Sequence, residues 1–130
     1  WRYASSGEVG EEDVSSGAWL EESYDTSGWS SGVTPMGEGF DGEVTTVLES
    51  GSGREVLYLR HVFDADVESG KRYVVRVSGA YDDGVVLYLN GEEIGRLNMG
   101  DGEVTSSTAA LGEVTSSGGG VMDVVVYVTG

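Results

Sequence analysis

The stretch Tyr81-Asp82-Asp83-Gly84-Val85-Val86-Leu87-Tyr88-Leu89-Asn90-Gly91-Glu92-Glu93-Ile94-Gly95-Arg96-Leu97 decides the fold. The apolar run 85–89 leads into Asn90-Gly91, the pair that most readily takes positive φ at both central positions of a two-residue hairpin turn. Residues 92–97 then read as the return strand. Working outward, residues 73–78 alternate Tyr73, Val75 and Val77 against Val74, Arg76 and Ser78. Residues 55–63 set Leu57, Leu59 and Phe63 against Val56, Tyr58, Arg60 and Val62, with His61 falling on the apolar side as a core or interface imidazole. The last strand, 121–129, is apolar on both faces: Met122, Val124, Val126 and Val128 suit a core, while Val121, Val125 and Tyr127 need another cover.

A period of two dominates and no helical stripe of useful length occurs, so nearly every element is expected to be a strand. The first third carries Trp1, Tyr3, Trp19, Tyr24, Trp29 and Phe40 among Ser/Gly turns, which fits long loops pinned by buried rings better than disorder. Gly-Glu-Val-Thr recurs at Gly42, Gly102 and Gly112, a spacing too short for a solenoid repeat and read as reused turn chemistry. The expectation is an all-β chain, an antiparallel β-sandwich or jelly roll with long aromatic-anchored N-terminal loops, forming one domain over 1–130.

Composition narrows the function. Twenty-three acidic residues against seven basic ones give a net charge of −16, and Lys71 is the sole lysine. Nucleic-acid binding is disfavoured because the cations that neutralise phosphates are missing. No apolar run approaches the roughly 20 residues of a membrane helix, so no membrane insertion is expected. The chain has 22 glycines, one proline and no cysteine, which excludes collagen, a disulfide scaffold, a zinc finger and a thiol enzyme. The acids concentrate at 7–13, 21–25, 38–43 and 64–68, as loop ends would. That density fits a solvated surface, adaptation to high salt, or divalent-cation binding.

The segment 81–94, continued by Arg96-Leu97-Asn98-Met99, resembles the galactose-binding-domain-like jelly rolls that recur as accessory modules of large secreted bacterial proteins. Trp1-Arg2-Tyr3, then Trp19, Tyr24, Asp25, Trp29, Gly32, Pro35, Met36 and Gly37, then Tyr58-Leu59-Arg60-His61-Val62-Phe63, follow that pattern in order over nearly the whole chain. The Asp-Asp-Gly, strand, Asn-Gly sequence is also similar to the PA14-type β-sandwich. The chain departs from the jelly-roll pattern at 116–120, a Ser/Gly run. The PA14-like resemblance implies a Ca²⁺ held by Asp82 and Asp83 at a glycan site. A plain turn, with Asp capping its own backbone and Gly84 at positive φ, is the competing reading of those residues.

Other motifs carry less. Gly37-Glu38-Gly39-Phe40-Asp41-Gly42 spells a dinucleotide fingerprint, but no helix is expected after it. Gly28-Trp29-Ser30-Ser31-Gly32 spells a nucleophile elbow without the strand–turn–helix context. No pair among the acids stands out as glycosidase carboxylates. Trp19, Trp29, Tyr81 and Asn90 are the candidate carbohydrate contacts, with core anchoring as the alternative for the two indoles.

Two functions follow as expectations. The first is a non-catalytic extracellular module, a structural subunit of a cell-surface or filamentous assembly, joined to itself or to other subunits through strand edges and the terminal strand at Val121, Val125 and Tyr127. A start at Trp1 with no initiator Met suggests processing from a larger precursor. The second is a carbohydrate-binding module, with Ca²⁺ as its cofactor. An enzyme is not expected.

Overall fold

The computed structural model describes residues 1–38, 42–48, 56–114 and 119–130. Phe40, the middle of the dinucleotide-like motif and residues 116–118 lie outside the described residues. The chain is mostly strand with little helix, its sheets are small, and none among the described residues closes on itself. No described helix is long and apolar enough to cross a membrane. The residues group into two compact units, Trp1–Val62 with Glu103–Thr108, and Phe63–Gly102 with Ala109–Gly130.

In the first unit, strand β1 (Arg2–Ser5) is the middle of a three-stranded antiparallel sheet. It is flanked by β2 (Ser30–Ser31) and, after a short parallel pair formed by β3 (Met36–Gly37) and β4 (Thr46–Val47), by β5 (Leu57–Arg60). Ala4, Val9, Val14, Trp29 and Tyr58 form the core, with Trp19, Tyr24 and Val56 packed against it. The rings meet edge to face, Trp19 on Tyr58 at 4.9 Å and Tyr24 on Trp29 at 6.0 Å between centroids, the arrangement the ring quadrupoles favour. Trp19, Tyr24 and Trp29 pin their loops as expected, whereas Trp1 is 45% exposed.

Three expectations fail in this unit. Residues 7–13 read as an acidic loop, yet Glu11–Ser16 forms helix α1, followed by a 3-10 turn at Ala18–Leu20. Glu11, Glu12 and Asp13 occupy its first turn, where unpaired N–H groups favour negative charge, and Gly17 ends it in the left-handed region at φ 77°. Six residues are too few to hold a helix in isolation, so burial of Val14 maintains it. The strand expected over 55–63 is also shorter. β1 offers four partners, pairing stops at Arg2 opposite Arg60, and Val62 and Phe63 beyond it are exposed. Tyr58 therefore belongs to the core, whereas Leu59 faces outward. His61 is exposed past the end of β5 and does not sit on an apolar face.

The second unit is built from two ribbons. β6 (Arg72–Tyr81) pairs with β9 (Gly120–Thr129) in continuous antiparallel register from Arg72 opposite Thr129 to Tyr81 opposite Gly120. β7 (Val85–Leu89) and β8 (Glu92–Leu97) form the expected hairpin, with Asn90 at φ 50° and Gly91 at φ 84° in the turn. Leu87 pairs with Gly95 and Tyr88 with Glu93, so Ile94 is an extra residue on β8, a bulge. β8 packs on β9 at Gly95, where an added Cβ would lie 3.4 Å from Val124. Arg96 fixes the following loop: its guanidinium clasps both Glu93 oxygens at 2.6 Å and donates to the carbonyls of Gly100 and Gly102. Gly120 has no room for a side chain, because a Cβ there would come 2.4 Å from the Tyr81 ring.

Candidate functional site

Three features carry chemistry. The first is a cleft in the first unit, set up by the β1–β5 register. Antiparallel pairing ends with Arg2 directly opposite Arg60. The chain just beyond brings Trp1 onto His61, whose rings stack at 4.9 Å with planes 29° apart. Together with Glu22 and Tyr24 these residues line a cavity of about 650 Å³. Arg2 donates to Ser31 Oγ at 2.8 Å and to the Trp29 carbonyl. Arg60 donates to the carbonyls of Trp19 and Glu21, and its guanidinium lies 5.8 Å from the Tyr24 ring centroid. Tyr24 is oriented by its hydroxyl, which donates to Asp13 Oδ2 at 2.8 Å; that bond raises the phenol pKa above its ordinary value.

The second feature is the outer face of the β6–β9 ribbon. The register gathers Arg72 with Thr129, Val74 with Tyr127, Arg76 with Val125, Ser78 with Asp123 and Ala80 with Val121 on one side, and all are exposed. Val121 is 85% and Tyr127 73% exposed. Arg76 grips Asp123 by two bonds of 2.6 Å, which lowers the carboxyl pKa. β6 and β9 are paired only with each other among the described residues, so both outer edges of this long ribbon lack a hydrogen-bonded neighbour.

The third is the loop at Asp82–Asp83. Hydrogen bonding to the Asp83 side chain, followed by partial desolvation and the charges of Asp83 and Glu113, raises the Asp82 pKa. Asp83 Oδ1 accepts the Val114 N–H at 2.9 Å, and the Asp83 carbonyl accepts from Asn98 Nδ2 at 3.0 Å. Two adjacent carboxylates provide part of the six to eight oxygens that Ca²⁺ takes. Among the described residues, no group of three or more His, Asp or Glu is placed to hold an ion.

Of the carbohydrate candidates, Trp29 is buried in the core and Trp19 lies partly buried against Tyr58, both in the first unit. Tyr81 ends β6 over Gly120, and Asn90 is exposed in the hairpin turn, both in the second unit. Ser30 of the elbow-like motif sits in the two-residue strand β2. Sequence reasoning did not assemble Trp1, Arg2, Tyr24, Arg60 and His61 into one site. The signal was the register of β1 on β5, which needs the tertiary pairing to be known. No family model, curated protein or solved structure matches this chain.

Proposed function

We propose that this protein is a non-catalytic module of an extracellular assembly, joined to a second copy of itself through the β6–β9 ribbon. The observation that carries the reading is the exposed outer face, where Val74, Val121, Val125 and Tyr127 stand among polar residues, with two edges that are open among the described residues. A two-stranded ribbon is marginal in water unless a further strand or another layer covers it, and open edges invite strand addition. Val74, Val121, Val125 and Tyr127 supply the apolar area, and the backbone edges supply register. The charge of −16 opposes association at low salt, so screening favours it. Sedimentation velocity at micromolar concentration is expected to show a dimer or larger species that strengthens with salt and weakens in a Val121→Thr/Tyr127→Thr variant. A strict monomer in both low and high salt overturns the proposal.

A second reading, carbohydrate binding, is supported by the cleft of the first unit, where the Trp1 indole is 45% exposed beside guanidinium and hydroxyl donors. Calcium at Asp82 and Asp83 is a separate proposal supported by the two adjacent carboxylates in one loop. It is tested by whether calcium raises the thermal midpoint of the protein but not of Asp83→Ala.

A further inference from the structure

Arg2 and Arg60 break a local rule. Like charges directly opposite one another on paired strands repel, yet β1 and β5 end with two guanidinium groups in register. The chain has 23 carboxylates to offer them. Among the described residues, Lys71, Arg76 and Arg96 each have an acid within ion-pair distance, and Arg72 stands on the exposed face of β6. Neither Arg2 nor Arg60 has a carboxylate partner there; their bonds go to carbonyls and to a serine hydroxyl. Both line the same cleft. Consistency between local preference and structure fails most often at functional sites, and the missing partner of paired guanidiniums is an anion.

The rest of the cleft describes what carries the anion. The Trp1–His61 stack provides a partly exposed aromatic face of the kind on which a sugar ring can pack its C–H groups. In the lining, the Glu22 carboxylate can accept from sugar hydroxyl groups, and the Thr26 and Ser31 hydroxyls can donate or accept. The volume of about 650 Å³ falls in the range of small-molecule sites. We infer that this cleft binds a carboxylate-bearing saccharide, a uronic-acid oligomer, with its carboxylate between Arg2 and Arg60 and a sugar ring against Trp1. The inference rests on the carbohydrate-binding reading and names its ligand class.

Titration calorimetry and tryptophan fluorescence with galacturonate, glucuronate and mannuronate oligomers, each beside its neutral hexose counterpart, test it in EDTA. At least one uronate oligomer is expected to bind at least tenfold more tightly than its neutral counterpart, with affinity falling as salt rises. Arg2→Gln is expected to weaken that binding about tenfold, Arg2→Lys less, because lysine keeps the charge and loses the fork. Trp1→Ala is expected to remove the fluorescence change; Trp1 and its face lie outside the buried core, so this variant keeps the wild-type thermal midpoint. Equal binding of neutral and acidic oligomers overturns the carboxylate assignment and leaves the carbohydrate reading standing. Absence of binding to every saccharide overturns both. Uronate binding unaffected by Arg2→Gln and Trp1→Ala removes the cleft as the site.

Discussion

Val9, beside a short strand and a six-residue helix, is 2% exposed, whereas Val121, on a regular strand of ten residues, is 85% exposed. The contrast holds across the two units. Among the described residues, the buried side chains Ala4, Val9, Val14, Trp29, Leu48, Tyr58 and Ser106 all belong to the first. The second has the longer strands, yet its inward residues Tyr73, Val75, Val77, Val124, Val126 and Val128 are only half-buried. Regular hydrogen bonding and burial are thus separable. Rings of 150–250 Å² each let short elements build a core, while a valine ribbon with one packed face leaves its other face uncovered.

The sharpest break of this comparison is Trp29→Ala. Removing the buried indole is expected to lower unfolding free energy by about 3–5 kcal/mol in urea titration. Tyr127→Thr, measured where the protein is monomeric, should stay within about 0.5 kcal/mol of wild type. Equal losses would erase the distinction between the units. Gly120→Ala comes next: its Cβ meets the Tyr81 ring, an overpacking that costs about 1–3 kcal/mol, and the loss should shrink in a Gly120→Ala/Tyr81→Ala double variant. In the first unit, Tyr24→Phe removes the bond to Asp13 and is expected to cost about 1 kcal/mol in the same titration.

The smallest effects are in pH. Arg76 holds the Asp123 carboxyl below its ordinary 3.8, so that contribution is present above 3.8 and is lost as pH falls through the lowered folded value. Asp82 has the opposite sign: its pKa is raised above 3.8, the folded state holds the proton longer, and stability falls as pH rises through the raised value. Thermal scans should therefore show Asp82→Asn raising the midpoint at pH 7 and leaving it unchanged at pH 3, and Asp123→Asn lowering it at pH 7.

The second unit was the more legible in sequence because its rules are local. Asn90-Gly91 states its own turn, and the alternation of Met122, Val124, Val126 and Val128 against Val121, Val125 and Tyr127 matches the observed half-buried and exposed faces. The first unit was legible in its anchors and illegible in its elements. Glu11 to Asp13 followed by Gly17 is a start and stop signal for a helix, but with Val14 as its one buried residue the apolar spacing shows no stripe. The cleft joins residues nearly sixty positions apart through a four-residue register, a relation no window on the sequence contains.

Ile94, the only isoleucine in the chain, is the unpaired residue of the bulge between Leu87 and Tyr88. An uninterrupted two-stranded ribbon can slide by two residues and keep every side chain on its own face. Here a slide would have to carry the bulge past a strand that has no matching gap, and would break the two-residue turn at Asn90-Gly91. The hairpin is therefore keyed to one position twice over, like a toothed part held at one end, by the Asn90-Gly91 turn and by the extra residue Ile94.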